Sequence, residues 1–369
     1  MLFEPLTSKS LTLKNRMVMS PMTRSRATAD NVPTPLMAEY YGQRATAGLI
    51  VTEGTSPSPN GLGYARIPGL FNSAQVRGWK AVTDAVHAVG GKIFVQLMHT
   101  GRVTHVANLP AGAEVVGPTA DVCPGQMYTD ASGMQPHSVP RAMTEQDIAH
   151  AVAEYAQAGR LALDAGFDGI ELHAANGYLI EQFLNANVNH RQDGYGGSAE
   201  GRNRFALEVA RAAVDAIGAD RVGIRLSPYG VFNGTGPFPE LEPQYLSLVS
   251  ELSTLGIAYV HVLDHSAMGA PPVPAECKLE LRRAFSGVFI LAGGFDAASA
   301  EQALLENRAD LIAFGRPFLA NPDLVRRFRG NSPLNELDMA TFYTPGPKGY
   351  TDYPTLPVSG AIDSRVASE

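Results

Sequence analysis

The segment ELHAANGYLIEQFLN, residues 171 to 185, ends an apolar run with His173, then sets Asn176 three positions on and Tyr178 two further. All three side chains can donate a hydrogen bond, through an imidazole N–H, a carboxamide N–H and a phenol O–H. Donors gathered at the end of a buried strand suit an oxygen that gains negative charge during a reaction, because preorganised dipoles stabilise that charge without having to turn. A tyrosine, with a reference pKa of about 10, stays protonated at neutral pH until a stronger base develops beside it. Taken singly, each residue has a plainer reading: a strand-end histidine is often a hydrogen-bonded core residue, and a tyrosine most often packs. What decides between the readings is whether other elements bring further chemistry to the same place.

Eight short runs rich in apolar and β-branched residues recur along the chain: RMVMS at 16 to 20, GLIVTEG at 48 to 54, KIFVQLMH at 92 to 99, GIELH at 169 to 173, VGIRLSP at 222 to 228, AYVHVLD at 258 to 264, VFILAGG at 288 to 294 and LIAFGRP at 311 to 317. Between most of them lie segments such as SAQVRGWKAVTDAVHAVG and TEQDIAHAVAEYAQAGRLALDAG, whose apolar residues return at three- and four-residue steps; the second opens on Thr144, a good N-cap. Fully apolar strands separated by helices indicate parallel strands covered on both faces, and eight such units favour a closed (β/α)₈ barrel, an α/β fold, over an open sheet. One barrel spanning residues 1–369 then accounts for the length. The opening LFEPLTSKSLTLKN reads as a hairpin that plugs the barrel's bottom. Residues 102–143, rich in Gly, Pro, Asp and His, form a long excursion after the third strand, on the face where barrels carry their sites, and are expected to act as a lid or cap.

An apolar fraction of 45%, a charged fraction of 18% and a net charge of −7 with both signs interleaved describe a globular chain with no basic stripe for a phosphate backbone. Nucleic acid is an unsuited partner. The N-terminus has no basic region ahead of an apolar core, and nowhere do eighteen apolar residues run together, so neither a membrane span nor a leader is expected and a cytoplasmic location follows. Cys123 and Cys277 are the only cysteines, too few for a cysteine-ligated cluster or a disulfide framework.

In a closed barrel the C-terminal strand ends converge. Here they supply Thr23, Gly54, Gln96, His99, His173, Arg225, Gly293, Gly294, Gly315 and Arg316. A Schiff-base enzyme needs a lysine at that face, yet of Lys9, Lys14, Lys80, Lys92, Lys278 and Lys348 only Lys92 touches a strand, at its start. No HxH or HExxH occurs, so no metal site is expected. Glycines ending the seventh and eighth strands, in LAGGF and FGRPF, stand where barrels commonly hold a phosphate on backbone N–H groups, with Arg316 adding a charge-assisted contact. Gln96 and Arg225 carry donors for carbonyl oxygens and for a ring nitrogen bearing negative charge. Flavin mononucleotide (FMN) matches that inventory. No GxGxxG follows a strand, so a nicotinamide must visit and leave.

The stretches SPMTRSRA, PTPLMAEYYGQRATAGLIVTEGT, VQLMHTGR, ELHAANGYLIEQFLN, RQDGYGGSAEGRNRF and AFGRPFLANPDL, with the terminal GYTDYP, resemble the Old Yellow Enzyme family of flavin-dependent ene-reductases over essentially the whole chain. The resemblance implies a (β/α)₈ barrel that holds FMN without a covalent bond, is reduced by NADPH or NADH, and is reoxidised by an activated alkene such as an α,β-unsaturated carbonyl or nitro compound. It further implies that Thr23, flanked by Pro21 and Met22, bonds the flavin O4, that Gln96 and Arg225 hold the pyrimidine edge, that Gly54 lies near the ring, and that Gly293, Gly294, Gly315 and Arg316 bind the phosphate. His173 and Asn176 would donate to the substrate's oxygen and Tyr178 would supply a proton. Tyr64, Phe342 and Tyr343 resemble the aromatics of the family's substrate pocket. Met98 stands where many relatives have tryptophan, which puts the substrate pose in question.

Two rival readings share the inventory: a nitroreductase or nitrate-ester reductase using the same His173 and Asn176, and a barrel that merely binds flavin or a phenol. The sequence leaves the physiological alkene, the choice of nicotinamide, and monomer against homodimer open.

Overall fold

The computed structural model describes residues 1–357. Eight parallel strands close into a barrel in chain order. They are β1 (Met17–Met19), β2 (Leu49–Val51), β3 (Ile93–Leu97), β4 (Gly169–Ala174), β5 (Val222–Leu226), β6 (Tyr259–Leu263), β7 (Val288–Ala292) and β8 (Leu311–Phe314). Each pairs with its neighbour in sequence, and β8 returns to β1 through Ile312 opposite Met17, so no ladder edge is left for another chain to join. All eight runs read from the sequence become strands, most of them shorter than their run because the polar ends curl into loops, whereas β4 extends one residue past GIELH to Ala174.

Alternation along each strand sorts the two faces. On β4, Ile170 and Leu172 join the large apolar cluster between strands and helices. Inside the barrel, Val18, Val51, Phe94, Tyr259, Ile290 and Leu311 form a second cluster together with Leu6, Leu11 and Leu13. Those three leucines belong to the N-terminal hairpin, whose strands Leu6–Thr7 and Thr12–Leu13 pair antiparallel; sharing a cluster with the barrel interior makes the hairpin its floor. Large and small residues alternate across the interior, and a side chain on Gly223 would overlap the Tyr259 ring.

The helix Glu145–Asp164 starts at Thr144 with a capping box, in which the Thr144 hydroxyl accepts from the Asp147 N–H and the Asp147 carboxylate accepts from the Thr144 N–H. Such a cap contributes about 1 kcal/mol and fixes where the helix feeding β4 begins. Within the 102–143 excursion, Gln126–Thr129 and Gly133–Pro136 form a hairpin, while Val116–Gly117 pairs parallel with Arg141–Ala142. Its buried Cys123 and Met127 pack with Met98 and Tyr178, which seats the excursion over the C-terminal end of the barrel. Arg102 ties it down by donating to the carbonyls of Asp121 (3.4 Å) and Asn233 (3.0 Å). Among the described residues no helix is long and apolar enough to cross a membrane, and no group of three or more His, Cys, Asp or Glu side chains is placed to hold a metal.

Candidate active site

Two adjoining cavities open at the C-terminal end of the strands, with Thr23 and Tyr343 lining both. One is a trench of about 490 Å³ whose walls include Pro21, Met22, Thr23, Asn176, Arg225, Gly293, Gly294, Gly315 and Arg316. The other is a pocket of about 610 Å³, mainly apolar, bounded by Tyr64, Arg66 and Tyr178, by Met127, Tyr128 and Met134 of the excursion, and by Met339 and Tyr343.

The trench collects hydrogen-bonding capacity that the protein does not use. Arg225 ends β5 and is 5% exposed, yet no ion pair or hydrogen bond to a described residue engages its guanidinium, and its Nε is buried without a partner. Burial draws its pKa down, with Glu171 acting against that. A buried unpaired cation is costly unless something brings it an acceptor. Gly293 and Gly294 follow β7 with φ of 125° and 71°, a conformation that a side chain would strain; a Cβ on Gly293 would also overlap the Asp264 carbonyl. Their backbone thus comes to the trench bare.

Beneath Arg225 lies a closed polar cluster. The fully buried Glu171 accepts from Gln96 Nε2 (2.8 Å), Tyr259 O–H (3.1 Å) and His261 Nδ1 (2.9 Å). Burial alone would raise the Glu171 carboxyl, but His261, Arg225 and Gln96 outweigh it and hold it below the usual range. Burial lowers His261 despite that neighbour, so its contact is a hydrogen bond from a neutral ring to a carboxylate. Gln96, read from the sequence as a donor, gives one N–H to Glu171, which leaves its second N–H and its carbonyl for other partners.

His173 ends β4 opposite Arg225 on β5, and its Nδ1 is buried without a partner. Burial, then Arg225, His261 and His265, push its pKa well below 6.5, so the ring is neutral. Its ring meets Tyr178 edge-on, with centroids 4.9 Å apart. The Tyr178 hydroxyl lies 2.9 Å from that of Tyr64, and burial lifts its pKa to about 12. Asn176, in left-handed backbone (φ 61°), donates its N–H to Ser227 Oγ (2.9 Å) and accepts at its C=O from Asn233 Nδ2 (2.7 Å). Ser227 in turn donates to Glu181 (2.8 Å), which also takes the Gly177 N–H (2.5 Å) and lies buried under the turn.

Most residues singled out from the sequence therefore border the two cavities. Gly54, Gln96, Met98, His99 and His173 do not: they line neither wall, and His173 reaches the pocket only through its edge-on contact with Tyr178. Met98 is 1% exposed and folds its thioether over Gly54, whose missing side chain makes the room, so both sit one layer behind the pocket. Tyr343 is 61% exposed at the rim, and Phe342 borders the trench while its carbonyl accepts from Arg24 (3.1 Å) and Arg26 (2.6 Å). Sequence reading missed the supporting residues Glu171, Glu181, Ser227 and His265. A carboxylate in the middle of the apolar run GIELH, on the same strand face as His173, was the available signal for the first. Nothing local marks the others.

A closed barrel whose top holds an unpaired guanidinium, bare glycine backbone and a neutral histidine defines a class, that of a barrel built around a planar cofactor with acceptor edges and a phosphate. FMN fits these residues. The chain matches the model of the NADH:flavin oxidoreductase / NADH oxidase family over residues 1–335 and belongs to that family, the Old Yellow Enzymes. It is 46% identical to chanoclavine-I aldehyde reductase of Penicillium roqueforti over 363 residues, 95% of each chain. Among solved structures, morphinone reductase superposes with a TM-score of 0.92 at 45% identity, covering 96% of both chains. An old yellow enzyme homologue from Zymomonas mobilis gives 0.92 at 42%, covering 96% of this chain and 99% of that one. The protein is an oxidoreductase that uses FMN and a nicotinamide electron donor.

Proposed function

We propose that the enzyme reduces the C=C bond of α,β-unsaturated carbonyl and nitro compounds, with His173 and Asn176 holding the substrate oxygen and Tyr178 supplying the proton. Arg225, Gln96 and Thr23 would hold the ring of FMN, and Gly293, Gly294, Gly315 and Arg316 its phosphate. Bound and reduced by NADPH or NADH, FMN supplies the hydride. The observation that carries the reading is that Asn176 on the trench wall and Tyr178 on the pocket wall are two residues apart, with the neutral, under-partnered His173 against Tyr178.

Electron density driven onto the substrate oxygen meets donors already in place, and in other enzymes the loss of one such donor costs about 2.7–4 kcal/mol. A neutral imidazole donates without becoming a competing acid. Tyr178, held near 12, keeps its proton until the α-carbon of the enolate demands it, and the Tyr64 hydroxyl at 2.9 Å steadies the phenolate left behind. The largely apolar pocket on Tyr178's side admits a carbon skeleton. Small alkenes and the nicotinamide are the partners, inside the cytoplasm, the described residues 1–357 forming one FMN barrel with 102–143 as its cap, and the last positions of the expected 1–369 unit lie outside the described residues.

The test is an anaerobic half-reaction series on the purified holoenzyme. NADPH or NADH should bleach the flavin and 2-cyclohexenone should restore its colour. Tyr178→Phe should slow restoration roughly 10²-fold, the lower range for a lost general acid, with bleaching unchanged. Equal restoration rates would remove the proton-donor role, and turnover of nitrate esters alone would favour the nitroreductase reading.

A further inference from the structure

The backbone of Asn176 is fixed by Ser227 and Asn233, but those bonds leave its carboxamide free to turn about its last torsion. A half-turn exchanges O for NH₂ at nearly the same point in space. Toward a substrate oxygen, the one face attracts and the other repels. Among the described residues a single side chain settles the choice: His265 Nε2 lies 2.8 Å from Asn176 Oδ1.

His265 can act only one way there. It is 2% exposed and burial holds its pKa near 4, so the ring is neutral with one proton to place. Nδ1 is buried with no partner, whereas Nε2 faces the carboxamide. A buried unpaired N–H is rarer and costlier than a buried unpaired lone pair, which puts the proton on Nε2. That N–H then claims Oδ1 and leaves the NH₂ of Asn176 for the trench. The ring is itself held: Phe232 packs on it with centroids 4.6 Å apart. Its neighbour Asp264 is pinned by Lys278 (2.8 Å), by the Ser266 N–H (2.9 Å) and by the Val273 N–H (3.2 Å).

We propose that His265 is a positioning residue that fixes which face of the Asn176 carboxamide meets the substrate oxygen, an inference that rests on reading Asn176 as a donor to that oxygen. It acts through Asn176 and gives β6 a part in the oxygen site that β4 presents.

The experiment is calorimetric titration of 4-chlorophenol, whose oxygen stands in for the charged substrate oxygen, into FMN-loaded protein. His265→Phe keeps an aromatic ring against Phe232 and removes the donor; His265→Gln keeps an N–H near the place of Nε2. The Phe variant should weaken binding roughly tenfold, the scale of one hydrogen bond to a charged acceptor, and the Gln variant should restore most of it. Equal losses in the Phe and Gln variants, or no loss in the Phe variant while Asn176→Ala weakens binding, would overturn the positioning role. No loss in Asn176→Ala would instead overturn the reading of Asn176 beneath it.

Discussion

The two ends of the barrel use burial in opposite ways. At the floor, Leu6, Leu11 and Leu13 of the hairpin are packed against interior apolar side chains, and burial there only removes hydrocarbon from water. At the top, Arg225 and His173 are about as deeply buried, at 5% and 3% exposure, but with polar atoms left unpaired. The floor stores stability; the top gives some of it up to keep donors available for ligands. That division is what makes a barrel's C-terminal face a site and its N-terminal face a foundation.

The comparison can be broken by moving each end toward the other. Leu13→Ala should have the largest effect, a loss of about 2–5 kcal/mol on the scale of buried leucine truncations, seen in denaturant unfolding, with turnover by the folded fraction unchanged. A parallel fall in kcat would show that the floor is not independent of the site. Arg225→Met should do the reverse. Bound flavin should weaken by about 1.5–3 kcal/mol, measured by absorbance after dialysis, while flavin-free protein unfolds at the same temperature or higher because an unpaired buried charge has gone.

A smaller effect comes from Glu181, under the Asn176 turn. Burial lifts its carboxyl from 4.5 to about 7, against the pull of Gly177, Ser227 and Tyr245. The folded state therefore binds this proton more tightly than the unfolded state. Its contribution to stability is full below about pH 4.5 and is lost as pH rises through about 7. Glu181→Gln should remove that downward contribution, so that Tm gains on the wild type as pH rises between those values; Glu53, likewise buried and lifted to about 7, keeps a contribution of the same sign, while the lowered His173 and His265 contribute the opposite one in both proteins. An unchanged slope would show that Glu181 is ionised throughout.

How much could be read in advance follows from what each feature depends on. The eight strands were legible because a doubly covered parallel strand must be apolar along its length, and GLIVTEG or VFILAGG announces that locally. The Thr144 cap was legible for the same reason, since a hydroxyl three residues before Asp147 makes its own helix start. Gly54 and Met98 follow strands that reach the site, but only packing shows the Met98 thioether folded over the glycine. That one N–H of Gln96 goes to Glu171, 75 residues away, no local pattern announces.

The sequence by itself determined the barrel, the capped helices, and the three donors at and just beyond the end of β4, because each follows from the period and type of residues adjacent in the chain. Tertiary structure alone decided which polar atoms would stay unpaired and which would be engaged. Arg225 is open, Gln96 is half engaged and Asn176 is turned by His265 from 89 residues away, since a hydrogen bond belongs to whatever folding brings within 3 Å.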